Sequence, residues 1–141
     1  MRDILISIKP KYVEAILRGE KTVELRRRCL RVPEGTRVWV YSTLPDAKVR
    51  AVARIEQLDE SSPENVWHAN ESKMFLTKTE YDEYIRGCLT VCVIHLADVQ
   101  QLSTPLSLES MRTFNNLPPP QFFKFLDSNS VLVQRFLKCI G

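Results

Sequence analysis

The chain has 141 residues, of which 44% are hydrophobic and 26% are charged, and its net charge is +3 at pH 7. This length and composition are typical of one globular domain and exclude a fibrous or intrinsically disordered chain. No apolar run approaches the roughly 20 residues of a membrane-spanning helix, and the N-terminus lacks a signal-peptide pattern. We therefore expect a cytoplasmic protein with no membrane partner.

Basic residues are concentrated in the first part of the chain. Residues 1–54 contain 13 Lys/Arg and 6 Asp/Glu, whereas residues 55–141 contain 7 and 11. A basic region with clustered arginines is typical of proteins that bind a polyanion. The competing interpretation is an uneven surface charge that serves solubility alone.

A strand, a helix and a second strand are predicted within the first 28 residues. Residues 4–8 alternate weakly as a strand, and Pro10 suits the first turn of a helix over residues 10–18. The apolar face of this helix consists of Tyr12, Val13, Ile16 and Leu17. Gly19 supplies the left-handed residue that commonly ends a helix.

Residues 22–28 alternate with the period of a strand. Val23 and Leu25 lie on one face, and the opposite face consists of Thr22, Glu24, Arg26 and Arg28. A strand face that packs on a core does not need such a row of charges. The row therefore requires either ion pairing or function as its explanation.

The remaining elements follow from residue propensities and capping signals. Strands are predicted over residues 36–42, 49–58 and 89–96, with residues 99–102 extending or bending the last of them. Ser62-Pro63 begins a short helix that reaches Trp67, and a capping box at 77–80 begins another that ends at Gly87. The resulting order, β-α-β-β-β-α-α-β, predicts an α+β fold.

Residues 103–141 differ in character from the preceding part of the chain. Pro105, the pair Asn115-Asn116 and the prolines at 118–120 argue against regular structure over much of this segment. Helices are predicted over residues 108–114 and 130–139. The segment also contains Phe114, Phe122, Phe123 and Phe125, which make it too apolar for a solvated tail. We therefore predict that residues 103–141 form an extension that packs on a domain of residues 1–102.

The helix–turn–strand segment resembles the signature of the ASCH domain, a member of the PUA-like superfamily. The matching residues are Ile8-Lys9-Pro10, Tyr12, Ile16-Leu17, Gly19-Glu20-Lys21-Thr22 and Glu24-Leu25-Arg26. The resemblance implies a small PUA-like β-barrel with helices over its openings and a cleft between the first helix and the next strand. Together with the charge distribution, it favours RNA, a nucleotide or a modified nucleoside as the ligand, with DNA as a further candidate.

Lys21, Glu24 and Arg26 are the principal candidates for function. Lys21 lies at the helix-to-strand turn. One interpretation is a surface lysine beside a helix end. The others are a side chain that binds phosphate, and a base whose pKa is lowered by burial. Glu24 and Arg26 form either a simple ion pair or a pair in which Glu24 holds Arg26 ready to bind a ligand. We predict a basic cleft whose ligand-binding residues are Gly19, Lys21, Thr22, Glu24, Arg26 and Arg28.

Some ASCH proteins are amidohydrolases that remove the acetyl group from N4-acetylcytidine with a lysine, a threonine nucleophile and a glutamate. In this chain Lys21 matches the lysine, but Glu24 occupies the threonine position, and Thr22 is the nearest hydroxyl. Glu71 is the nearest candidate for the family glutamate. A carboxylate cannot be activated by proton removal as a hydroxyl is, which favours a binding protein. In the alternative, an amidohydrolase, Lys21 and Glu24 are the catalytic candidates, with Glu24 as the base for a water molecule.

The cysteines and histidines show no metal-binding or catalytic spacing, and we expect neither a metal nor a cofactor. These residues are Cys29, Cys88, Cys92, Cys139, His68 and His95. We expect reduced thiols, with Cys88 and Cys92 packed on one side of a strand. Trp39 and Tyr41 are predicted core residues, the alternative being an exposed platform for stacking a base.

Overall fold

In the part of the chain that the structure describes, six largely hydrophobic strands form one mixed sheet, which helices cover. The computed structural model describes residues 1–107 and 123–140. The strands are β1 (Arg2–Ile8), β2 (Val23–Arg26), β3 (Arg37–Ser42), β4 (Lys48–Ser61), β5 (Val91–Ser107) and β6 (Phe123–Asp127). The helices within these residues are α1 (Pro10–Leu17), α2 (Pro63–Asn70), α3 (Lys78–Tyr84) and α4 (Val131–Leu137). The α+β prediction is confirmed.

The strand order in the sheet is β2-β5-β4-β3-β1-β6. β1 and β3 are parallel, whereas the other neighbouring strands are antiparallel. β2 and β6 are the two edges, and no pairing joins them among the described residues. The sheet is therefore open, and the closed barrel implied by the family resemblance is not confirmed.

One face of the sheet packs on the first helix. Ile4, Ile6 and Ile8 of β1 belong to the same buried cluster as Val13 and Ile16 of α1. These two helix residues lie on the apolar face that the sequence predicts, and Pro10 begins the helix. This packing fixes the start of the turn that leads into β2.

The opposite face of the sheet packs on the C-terminal helix. Trp39 is fully buried and lies 4.8 Å from Phe136 of α4, measured between ring centroids. Tyr41 is also buried, so the core prediction for both aromatics is confirmed. The division at residue 102 falls inside β5 and stays a prediction, and the helix predicted over 108–114 lies outside the described residues.

The central pair of strands is longer than the sequence pattern indicated. β4 extends to Ser61, and β5 continues through Pro105, so the prediction that this proline excludes regular structure is wrong. The pairing between β4 and β5 shifts register at three places, and such bulges bend strands and accommodate residues that cannot join the ladder. β2, by contrast, is short, and Thr22 and Arg28 lie outside it.

The prediction of reduced thiols is wrong for two of the four cysteines. Cys29 and Cys92 form a disulfide, which links the segment after β2 to the start of β5. Cys88 lies in the turn before β5 rather than on the strand, and both Cys88 and Cys139 are free thiols. The spacing of 63 residues between the bonded cysteines gives no local signal, because their proximity depends on the pairing of β2 with β5.

A buried carboxylate joins the N-terminal strand to the C-terminal part of the chain. One oxygen of Asp3 accepts hydrogen bonds from Arg37 Nε and Trp39 Nε1, each at 2.7 Å. The other oxygen accepts a hydrogen bond from the Ser128 hydroxyl at 2.8 Å. Asp3 thus connects β1, β3 and the turn after β6, and its charge is balanced by Arg37.

Replacing Asp3 by alanine is predicted to destabilise the protein strongly. The change leaves the Arg37 charge and the Trp39 N–H without their buried acceptor, a loss that costs about 3–5 kcal/mol in comparable sites. Urea denaturation measures the free energy of unfolding, and Glu56→Ala, which removes an exposed carboxylate, is the control. A loss no larger than that of the control would show that the network around Asp3 contributes little.

Candidate functional site

Three of the six binding residues predicted from the sequence, Lys21, Glu24 and Arg26, line a cleft of about 570 Å³. The cleft lies where β1 ends, and α1, β2 and α3 form its walls. Its lining residues are Ser7, Ile8, Lys9, Tyr12, Lys21, Glu24, Leu25, Arg26, Thr43, Leu76, Glu80, Glu83 and Tyr84. A cavity of this size accommodates one small ligand.

Three charged side chains form a buried row at the floor of the cleft. Glu24 Oε1 lies 3.4 Å from Lys21 Nζ, and Glu24 Oε2 lies 2.7 Å from Arg26 Nη2. The side chains of Lys21, Glu24 and Arg26 are only 3%, 11% and 15% exposed. The ion pair that the sequence allowed between Glu24 and Arg26 is therefore present, and it includes Lys21 as well.

Lys21 is held inside the protein by the loop that precedes α3. Its ammonium group donates to the Met74 carbonyl at 2.9 Å and lies 5.2 Å from the ring centre of Tyr12. Burial lowers the pKa of Lys21 below the usual 10.5, although the neighbouring Glu24 carboxylate opposes this effect. Lys21 is thus not a surface lysine, and it loses its proton more readily than an ordinary lysine does.

Arg26 connects two strands that are not neighbours in the sheet. Its Nη2 donates to the Ser7 carbonyl of β1 at 3.0 Å, which spans the gap between β1 and β2. Its Nε is buried and has no hydrogen-bond acceptor within residues 1–107 and 123–140. An unsatisfied buried donor is costly, so this N–H is a group for which a bound ligand could supply the acceptor.

Two tyrosines line the cleft on different elements, Tyr12 on α1 and Tyr84 at the end of α3. The Tyr84 hydroxyl donates to the Leu25 carbonyl at 3.0 Å and so holds α3 against β2. Burial raises the pKa of both hydroxyls, which therefore stay neutral at physiological pH. Aromatic rings on two walls supply apolar surface for contact with a flat ligand.

Positive and negative side chains line the cleft in equal numbers, so the cleft is not basic. Three cations, Lys9, Lys21 and Arg26, face three carboxylates. The carboxylates are Glu24, Glu80 and Glu83. The positive charge of residues 1–54 is thus not concentrated in the cleft, and this composition favours a neutral ligand with both donors and acceptors over a bare phosphate.

The structure separates the predicted site residues into two groups. Lys21, Glu24 and Arg26 lie together in the cleft, whereas Gly19, Thr22 and Arg28 are not among its lining residues. Gly19 has a φ of 79° and lines a neighbouring cavity of about 670 Å³, as does Glu71. Leu76 and Glu80 line both cavities.

Sequence reasoning missed several groups that complete the cleft. Tyr84, Glu80 and Glu83 come from α3, and the capping box that begins this helix indicates their secondary structure but not their orientation toward β2. The Met74 carbonyl that binds Lys21 belongs to an irregular loop. Backbone acceptors of this kind leave no signal in the residue pattern.

Other candidates are placed away from the cleft. His95 Nε2 lies 2.7 Å from Asp59 Oδ2, and His68 is exposed. Within residues 1–107 and 123–140, no cluster of three or more His, Cys, Asp or Glu side chains is arranged to hold a metal ion. No helix in this part of the chain is long and apolar enough to cross a membrane.

Comparison with known proteins establishes the family. The model of the DUF365 family, described as a domain of unknown function, matches residues 2–115, and the chain belongs to this family. The chain is also similar to an ASCH domain-containing ribonuclease of Zymomonas mobilis subsp. mobilis. The identity is 29% over 126 residues, which cover 89% of this chain and 84% of the relative.

Solved structures agree with the ASCH assignment. The crystal structure of ASCH from Zymomonas mobilis superposes with a TM-score of 0.91 at 27% identity, covering 99% of this chain and 96% of the other. The N-terminal domain of Staphylothermus marinus McrB gives a TM-score of 0.54 at 11% identity, covering 98% and 93%, and shares the fold alone. The protein contains an ASCH domain, as the helix–turn–strand motif predicted.

The lowered pKa of Lys21 predicts a specific dependence of stability on pH. Between that lowered pKa and 10.5, unfolded Lys21 binds more protons than native Lys21, so its contribution to stability increases as the pH rises. The wild type should therefore gain stability relative to Lys21→Met as the pH approaches 10.5 from below. The measurement is the difference between the free energies of unfolding of the two proteins. Lys73→Met, which removes an exposed lysine, is the control, and an equal pH dependence in both comparisons would contradict the prediction.

Proposed function

We propose that the protein binds RNA by placing one unstacked base in the cleft above Lys21, Glu24 and Arg26. The balanced charge of the cleft carries this proposal, because a base is neutral and presents both donors and acceptors. Sequence-specific RNA recognition generally targets unpaired bases and stacks them on aromatic side chains. Tyr12 and Tyr84 are aromatic side chains in suitable positions for such contacts.

The floor of the cleft provides the polar groups that a base edge needs. Each oxygen of Glu24 retains a lone pair beyond its contact with Lys21 or Arg26, and can accept from a base N–H. A ring nitrogen or carbonyl of the base can accept from the guanidinium group of Arg26, which lines the cleft and whose Nε has no acceptor among the described residues. The similarity to an ASCH domain-containing ribonuclease supports RNA as the polymer that carries the base.

Replacing Arg26 by methionine is predicted to weaken binding of single-stranded RNA by about 10- to 100-fold, as the loss of a hydrogen bond from a charged group costs about 1.5–3 kcal/mol. Fluorescence anisotropy with a labelled RNA of mixed sequence measures the dissociation constant. Arg54→Met removes an exposed arginine that donates to the Gly35 carbonyl and is the matched control. Equal losses of RNA affinity in the two variants would contradict binding in the cleft. Single-stranded DNA in the same assay tests whether the 2′-hydroxyl of RNA contributes to binding.

A second candidate function, hydrolysis of a modified nucleoside, is supported by the lowered pKa of Lys21. A neutral amine can accept a proton from a water molecule that attacks an amide carbonyl. The cleft also contains the hydroxyl groups of Ser7 and Thr43, whereas Thr22, the hydroxyl considered from the sequence, is outside it. The catalytic candidates in this function are Lys21 and Glu24.

Incubation with N4-acetylcytidine tests the hydrolytic function. If the cleft is catalytic, chromatography should show cytidine and acetate, and Lys21→Ala should abolish their release while Lys73→Ala retains it. Lys73 is an exposed lysine one residue before Met74, so its replacement controls for loss of positive charge beside the same loop. Absence of turnover at high enzyme concentration would contradict this activity and leave base binding unaffected.

A further inference from the structure

We propose that the segment of residues 27–31, which we call the arginine segment, binds the RNA phosphates that flank the base held in the cleft. This inference rests on the proposed function, because it places the backbone of the same RNA. It identifies a contact surface outside the cleft and assigns it a ligand chemistry, the phosphodiester anion.

The arginine segment contains positive charge that the protein does not neutralise. Arg27, Arg28 and Arg31 are all exposed, and none forms an ion pair with a carboxylate in the described parts of the chain. By contrast, Arg37 and Arg50 are paired with aspartate or glutamate. Three unneutralised charges within five residues attract an external anion.

The arginine segment continues directly from a wall of the cleft. Arg26 lines the cleft and Arg27 follows it, so their Cα atoms are separated by about 3.8 Å. Arg27 Nη2 donates to the Arg86 carbonyl at 3.1 Å, which brings the segment next to the end of α3. Tyr84, which lines the cleft, lies two residues before Arg86. The arginine segment therefore begins beside the cleft, between β2 and the end of α3.

Two anchors hold the arginine segment in place. Cys29 is bonded to Cys92 of β5, and Cys92 is the residue paired with Arg26 in the β2–β5 ladder. Leu30 is buried in the cluster that contains the β1 isoleucines. Anchoring the backbone at residues 29 and 30 reduces the entropy lost when the neighbouring arginines bind a ligand. The segment is thus a preorganised surface rather than a flexible basic tail.

The cleft and the arginine segment have complementary charge properties. The cleft carries equal numbers of cations and carboxylates, which disfavours a phosphate inside it. A nucleotide in a polymer always has phosphates on both sides, and these must lie outside the cleft if the base lies within it. Guanidinium groups bind phosphate oxygens in bidentate fashion, so the arginine segment supplies the donors that the cleft lacks.

The salt dependence of RNA binding tests the proposal. The probes are a short labelled single-stranded RNA of mixed sequence and the four free nucleosides. For the variant with Arg27, Arg28 and Arg31 changed to glutamine, the slope of log Kd against log salt should decrease by about 2, because each single-strand phosphate contact contributes about 0.7. The nucleoside affinities of this variant should equal those of the wild type, since nucleosides carry no phosphate.

Two matched variants make the experiment decisive. Changing Arg54, Lys124 and Lys138 to glutamine removes three exposed positive charges elsewhere and should leave the slope nearly unchanged. Changing the three segment arginines to lysine retains the charge and should retain most of the slope. An unchanged slope in the variant with Arg27, Arg28 and Arg31 changed to glutamine would overturn the proposal. An equal decrease of the slope in the Arg54/Lys124/Lys138 variant would also overturn it. Failure of the wild type to bind any nucleoside, with the slope still decreased, would reject the base-binding cleft and keep the phosphate surface.

Discussion

The Glu24 carboxylate lies between two cations with only 11% of its side chain exposed, and the cleft depends on this contact. Burying three charged side chains is unfavourable unless each finds a partner, and Glu24 is the anion that Lys21 and Arg26 share. The same Arg26 reaches the Ser7 carbonyl, so the charge cluster also connects β2 to β1, which the sheet order keeps apart. Removing the anion would therefore affect both the chemistry of the floor and the position of β2.

β2 is a four-residue edge strand, and its position depends on contacts from outside the sheet. The Lys73 carbonyl accepts from the backbone N–H groups of Thr22 and Val23, while the Tyr84 hydroxyl donates to the Leu25 carbonyl. These contacts satisfy polar groups that an edge strand would otherwise expose, which also protects the edge from pairing with another chain. The loop before α3 thus supports β2 and supplies, through Met74, an acceptor for Lys21.

The helix–turn–strand pattern was sufficient to predict Lys21, Glu24 and Arg26 as neighbours, because all three lie within six residues and their relative placement is local. The opposite wall of the cleft could not be predicted, because Tyr84 reaches it only through the packing of α3 against β2. The disulfide was missed for the same reason, since Cys29 and Cys92 are adjacent only in the folded sheet. The alternation of residues 22–28 predicts one charged strand face, whereas β2 ends at Arg26 and Arg28 lies beyond it. Local periodicity identified the residues, and tertiary pairing decided which of them share a site.

The end of β2 also separates two kinds of electrostatic environment. Up to Arg26 the charged groups are buried, paired and balanced by carboxylates, and a ligand there must satisfy directional hydrogen bonds. In the arginine segment that follows Arg26, the three arginines are exposed and form no ion pair with a carboxylate of the described residues, and their attraction for anions is less directional and is screened by salt. A nucleic acid has the same division, with neutral bases that carry sequence information and a uniform anionic backbone. The boundary between the two environments lies at a single peptide bond, which is compatible with one nucleotide contacting both.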